Sequence, residues 1–180
     1  MSEITTNRDS SAEGFPPILG TEPRVLVLGS LPSRKSLDKR QYYGHPQNAF
    51  WKIMRTLLGA EGSYEERSAA VAAAGVAVWD VLARAERPGS MDADIDLGSA
   101  VANPLGPFLD RETSITLVAF NGRAAESMFR RFVTGTLRPL DFVRLPSTSP
   151  AYASLTLAQK TERWRAGLAP ALSTLARRSR

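Results

Sequence analysis

Four short apolar runs divide the chain. Val25-Leu26-Val27-Leu28 ends in Gly29-Ser30, and Val76 to Leu82 is interrupted only by Trp79-Asp80. Ser114 to Phe120 stops at Asn121-Gly122, and Asp141 to Leu145 enters Pro146. Their length and the unbroken stretches of Val, Leu and Ile predict strands buried on both faces. Between them the spacing changes to that of helices. Phe50, Trp51, Ile53, Met54, Leu57 and Leu58 make one apolar face, with Gly59 as its stop. Ser63-Tyr64-Glu65-Glu66 has capping-box spacing and opens an alanine-rich helix ending at Gly75. Further helices are predicted over 107–111, from Asn121-Gly122 to about 133, and over about 156–176 with Leu157, Trp164, Leu168 and Leu172 inward. Residues 31–47 and about 84–99 read as loops. Residues 1–13 read as a disordered tail, Gly14 to Leu19 as an extended arm able to dock, and 177–180 as a basic tail.

Strands separated by helices predict one α/β domain over 14–176, a three-layer α/β/α arrangement around a central, mostly parallel four-stranded sheet. Ligands of such sheets bind beyond the carboxyl ends of the strands. The candidate chemistry therefore lies in Ser30-Leu31-Pro32-Ser33, Trp79-Asp80, Asn121-Gly122 and Pro146-Ser147-Thr148-Ser149-Pro150. The first of these is neither a Walker loop nor a GxGxxG fingerprint, which argues against a nucleotide cofactor. Asn121 either points its amide into a ligand site or caps the following helix. Asp80 is a base, a water-orienting group or a salt-bridge partner. The acids Asp92, Asp94 and Asp96 read as a solvated loop.

Composition narrows the chemistry. The 180 residues include no cysteine and one histidine, His45, so thiolate sites, a cysteine nucleophile and a multi-histidine metal centre are excluded; no metal and no cofactor is expected. No apolar run reaches the roughly 18 residues of a membrane span, and the polar N-terminus is unlike a signal peptide, so the expectation is a cytoplasmic protein away from the membrane. A net charge of +5, with 19 Arg against 4 Lys, permits nucleic acid as a partner without establishing it.

The segment QYYGHPQNAFW, residues 41–51, is too aromatic for an ordinary surface loop and too rich in amides for a core. Taken in order, GSLPSRKSLDKRQYYGHPQNAFW, VWDVL, RPGSMD, FNGRAA and LPSTSPAYA resemble the uracil-DNA glycosylase superfamily, over about Phe15 to Trp164. The likeness is to its branch of hypoxanthine-DNA (deoxyinosine) glycosylases, family 6. The resemblance implies that fold, and a monofunctional enzyme that flips a deaminated base out of DNA and hydrolyses its N-glycosidic bond to leave an abasic site. It implies catalytic amides at Asn48 and Asn121, a stacking ring at Tyr43, and base contacts from Ser30, Leu31, Ser33, Trp79 and Asp80. DNA contacts are implied at Arg34, Lys35, Ser147, Thr148 and Ser149. The partner is DNA carrying a damaged base, with the protein acting as a monomer. Leu31 and Ser33 stand where uracil-excising relatives carry a catalytic Asp or Asn, which favours hypoxanthine over uracil. Ala85 stands where cysteine is expected in many relatives. The alternatives are a uracil, xanthine or mismatch glycosylase of the same fold, or a nucleic-acid-binding protein without catalysis.

Overall fold

The computed structural model describes residues 10–172. Its elements run β1 (Ser11–Glu13), β2 (Val25–Gly29), α1 (Arg34–Lys39), α2 (Phe50–Leu58), α3 (Tyr64–Ala73), β3 (Val76–Asp80), β4 (Leu82–Glu86), β5 (Val101–Ala102), α4 (Leu105–Arg111), β6 (Leu117–Asn121), α5 (Arg123–Phe132), β7 (Asp141–Leu145) and α6 (Leu157–Leu168). The four apolar runs form one sheet in the order β3-β2-β6-β7, every pairing parallel and flanked by helices. Every residue of β2 and β3 is buried, as unbroken apolar runs require. At the open edge, β7 exposes Asp141, Phe142 and Arg144. The register sets Gly29 against Asp80 and Asn121 against Leu145, so the strand exits finish level with one another.

Three segments depart from the sequence reading. Ser11–Glu13, expected in the disordered tail, form β1 and pair antiparallel with β4, Ala12 opposite Ala85. The segment from Arg84, expected as loop, begins as strand β4, which also pairs with β5. Only Leu82 and Ala85 of β4 are buried, a pattern too short to register as a strand without its distant partner. Residues 31–47 contain the six-residue helix α1, capped by Ser33, whose Oγ accepts from the Ser36 N–H. Its residues are nearly all polar, so no apolar face announces it. The last helix, expected to about 176, ends at Leu168, and the sequence assignments for residues 1–9 and 173–180, including the basic tail, lie outside the described residues. No helix among the described residues is long and apolar enough to cross a membrane.

The extended arm docks as expected. Ile18 exchanges two backbone hydrogen bonds with Val78 (2.9 and 3.0 Å), covering the free edge of β3. The Phe15 carbonyl accepts from both the Tyr42 hydroxyl (3.0 Å) and Trp79 Nε1 (3.1 Å). On the opposite flank Trp164 is fully buried, meets Phe50 edge-on at 5.9 Å, and donates from Nε1 to the Pro146 carbonyl at 2.9 Å. One side chain thus ties α6 both to the core and to the loop that leaves β7. Trp164→Ala is expected to destabilise the protein by about 3–5 kcal/mol, read by urea denaturation; a loss under about 1 kcal/mol would show that this flank does not hold the core.

Candidate active site

A cavity of about 350 Å³ opens at the carboxyl ends of β2, β3, β6 and β7. It is lined by Ser30, Leu31, Ser33, Tyr43, Asn48, Asp80, Asn121, Ser147, Thr148 and Ser149, ten of the thirteen residues expected at a site. Trp79, Arg34 and Lys35 are not among its lining. Side chains alternate along a strand, so where Asp80 faces the cavity Trp79 turns the other way, packing on Phe108 at 4.9 Å. Arg34 is exposed and donates to the Pro88 and Gly89 carbonyls at 2.8 and 3.3 Å, and Lys35 is exposed beside it.

The aromatic segment is built to hold two of these groups. Tyr42 is buried and structural: its hydroxyl holds the arm and its carbonyl accepts from Trp51 Nε1 at 2.8 Å. Tyr43 adopts a left-handed backbone, φ 53°, uncommon for an aromatic residue. Its ring stacks on Phe50 with centroids 4.2 Å apart, and the residue lines the cavity with its hydroxyl buried. Glycine is required opposite it. A Cβ on Gly29 would stand 2.5 Å from Asp80 Oδ1 and 3.0 Å from the Tyr43 hydroxyl. His45 is a turn residue, its Nδ1 accepting from the Gln47 N–H at 3.1 Å and its carbonyl from the Asn48 N–H at 2.9 Å. Asn48 Oδ1 accepts from the Phe50 N–H at 2.9 Å, so the start of α2 fixes which way the carboxamide points.

Asp80 sits at the end of β3, 4% exposed, and its Oδ2 has no hydrogen-bond partner among the described residues. Burial, reinforced by the Asp92 carboxylate, pushes its carboxyl up to about 7 against the opposing pull of Arg87. Arg87 is itself buried and donates to the Pro32 carbonyl at 2.6 Å. Of the three acids read as a solvated loop, Asp94 and Asp96 are exposed, but the Asp92 carboxylate turns inward, accepts from the Ser30 hydroxyl, and is raised by burial. Arg87 and Asp92 both line the cavity, and neither was assigned a role from sequence although RPGSMD was singled out. The signal was available in Arg87, an arginine preceding a Pro-Gly turn. Arg123, exposed at the mouth on the first turn of α5, went unnoticed as well.

The hydroxyls divide by what already holds them. The Ser33 hydroxyl caps α1, and the Ser30 hydroxyl is taken by Asp92. Thr148, expected to touch DNA, is 1% exposed. Its Oγ1 accepts from Asn121 Nδ2 at 2.8 Å, while its N–H donates to Asn121 Oδ1 at 2.9 Å. Asn121 therefore does not cap α5, where Gly122 is the cap and supplies no side-chain bond. Ser147 and Ser149 are half-buried; their oxygens accept from the N–H groups of Ser149 and Ala151, which leaves their O–H groups to donate outward.

The model of the uracil DNA glycosylase superfamily matches residues 16–172. The chain is 34% identical over 114 residues to a hypoxanthine DNA glycosylase of Methanosarcina barkeri, covering 62% of this chain and 71% of that protein. It is 35% identical over 115 residues to the hypoxanthine DNA glycosylase of Methanosarcina acetivorans, covering 62% and 72%. A solution NMR structure of a candidate uracil DNA glycosylase from Methanosarcina acetivorans superposes with a TM-score of 0.69 at 30% identity, over 84% of this chain and 93% of that one.

The raised carboxyl of Asp80 fixes the sign of a stability change. Below about pH 4 the group is neutral whether the chain is folded or not. Between about 4 and 7 the unfolded chain ionises while the folded one resists, so stability falls as pH rises, and above about 7 the fall levels off. Asp92, raised as well, adds to the same slope. Asp80→Asn is expected to make the fall between pH 4 and 8 shallower and to exceed wild type in stability at pH 8, measured by urea unfolding of the free protein. An unchanged slope would mean that Asp80 ionises freely in the folded state.

Proposed function

The chain belongs to the uracil DNA glycosylase superfamily and is a DNA repair glycosylase acting on deaminated bases; on that premise we propose that its preferred base is hypoxanthine, read by a protonated Asp80 and cut with the help of Asn48. The observation that carries this reading is the buried, unpartnered Oδ2 of Asp80 in the same cavity as the Asn48 carboxamide. Hypoxanthine presents a carbonyl where adenine presents an amino group. A neutral carboxyl donates its O–H to the first, whereas the amino group of the second offers that O–H no acceptor, and a buried group left unpaired costs roughly 1–3 kcal/mol. An ionised Asp80 would reverse that preference, because a carboxylate only accepts. The proton on Asp80 is thus the element of recognition, and burial is what keeps it there.

Cleavage breaks the bond between C1′ and the base, whose electron pair leaves with the base, while a water oxygen bonds to C1′ and releases its proton. The state between carries oxocarbenium character on the sugar and negative charge on the base. Asn48 Oδ1 holds the Phe50 N–H with one lone pair, and the other is free to orient that water. Since an amide does not ionise, the enzyme depends on placement and on hydrogen bonds to the departing base rather than on a strong acid or base. Lys160, a buried lysine, is not among the residues that line the cavity. Its Nζ donates to the Ser149 carbonyl at 3.4 Å and faces the Tyr152 ring, an arrangement that supports an abasic product without strand cleavage. Arg34, Lys35 and Arg123, with the Ser147 and Ser149 hydroxyls, form the proposed phosphate contacts, and affinity for DNA should fall steeply with salt.

The reading is tested with matched duplexes carrying inosine, uracil or adenine at one position. Inosine is expected to be released fastest and adenine not measurably. Asn48→Ala should slow release by about 10²–10³-fold while DNA binding survives. Faster release of uracil, or an Asn48→Ala rate within a few-fold of wild type, would refute it. The pH profile separates the role of Asp80. Hypoxanthine release should decline as pH rises through about 7, and Asp80→Asn, which keeps an N–H donor at every pH, should flatten that limb. A limb that persists in Asp80→Asn would assign the titration to another group.

A further inference from the structure

We propose that Asn121 is a positioning residue: acting through the buried Thr148, it locks the loop 146–150 onto the start of α2 and so sets where Asn48 stands. Both ends of the Asn121 carboxamide grip one residue, Oδ1 accepting from the Thr148 N–H at 2.9 Å and Nδ2 donating to Thr148 Oγ1 at 2.8 Å. The Thr148 carbonyl in turn accepts from the Ala49 N–H at 2.9 Å. Ala49 follows Asn48 directly, so this bond orients the peptide plane between them. The exit of β6, the exit of β7 and the start of α2 are thereby joined through a single threonine that is 1% exposed.

The surroundings are shaped for this contact. Gly122 has φ 92°, and a Cβ there would come within 2.9 Å of Ser147 Cβ, so only glycine lets β6 meet the loop so closely. Trp164 holds Pro146 and Lys160 holds Ser149, each through a backbone carbonyl, which leaves the middle of the loop to Asn121. Each end of the Asn121 amide makes one bond to the same residue, a two-point grip that fixes the carboxamide against the loop and leaves one N–H and one lone pair uncommitted to Thr148. The inference rests on the glycosylase reading for its consequence in rate, but not for the contact itself.

Thr148→Val keeps the shape and removes the hydroxyl; Thr148→Ser restores it; Asn121→Ala removes the grip from the other side should the valine variant fold poorly. Amide hydrogen exchange in the free protein reads the contact with no substrate present. The Ala49 and Thr148 N–H groups are expected to exchange faster in Thr148→Val and Asn121→Ala and at the wild-type rate in Thr148→Ser. Single-turnover excision should fall by up to about 10²-fold in Thr148→Val with DNA affinity little changed, as expected when a reacting group is misplaced. The factor should be the same for inosine and uracil, Thr148→Ser should recover most of it, and the double variant should be no slower than Asn121→Ala alone. Unchanged exchange would overturn the proposal. So would losses that multiply in the double variant, or an Asn121→Ala defect confined to one base, since either describes an amide that touches the base. A wild-type protein that releases no base at all would sink the glycosylase reading and leave the exchange measurement to decide the clamp.

Discussion

The parallel register of β2 between β3 and β6 is the constraint on which the site depends. It brings Gly29 level with Asp80, so a position without a side chain lies beside a buried carboxyl and beneath the Tyr43 hydroxyl. Because side chains alternate with a period of two, a slip of one residue would turn Asp80 into the packing around Phe108 and bring Trp79 to the cavity. The unbroken burial of β2 and β3 does not by itself fix that register. The ladder of β2 with β3 carries it, with Ile18 bonded to Val78 on the other edge of β3. The cavity is thus defined by backbone hydrogen bonds well below it.

Placing an unpaired carboxyl in such a position is unfavourable to folding, and the protein tempers the penalty without removing it. Arg87 lies near enough to lower Asp80, while Asp92 lies near enough to raise it, and the balance stays on the side of the neutral acid. Arg87 is anchored to the Pro32 carbonyl rather than to either carboxylate, and Asp92 is held by Ser30. Arg87 is therefore not drawn onto Asp80 in a tight pair, which would fix it as an anion, and Asp92 stays on the side that favours the neutral acid. The charged groups around the cavity are held at a distance by neutral hydrogen bonds.

The main sheet and most of its helices were legible in the sequence because each is a local pattern: an apolar run for β2, β3 and β6, a capping box for α3, an amphipathic face for α2. What was not legible depends on partners distant in the chain. β1 and β4 pair across some seventy residues, and α1 is polar almost throughout. At the site, the strand exits and the QYYGHPQNAFW segment were recognisable by their residue types, and ten of the thirteen expected residues meet at one cavity. Direction was not recognisable. The inward turn of Asp92, the turn of Trp79 away from the cavity into the core and the burial of Thr148 are consequences of packing, which a motif does not encode. Asn121 shows the limit most clearly, since neither reading of it, helix cap or ligand contact, contained its two hydrogen bonds to Thr148 at the next strand exit.

The covered edge of β3 has a consequence for the company this protein keeps. A sheet with two bare edges is a template onto which another copy can add a strand. Here the arm closes one edge, and on the other, β7 sets Asp141 and Arg144 on either side of the exposed Phe142, with Arg144 paired to Glu126 at 3.1 Å. Many copies drawn to the same stretch of polyanion would be crowded far above their average concentration. With one edge already occupied by the chain's own arm and the other carrying charge, that crowding meets a poorer template for strand addition than two bare edges would present.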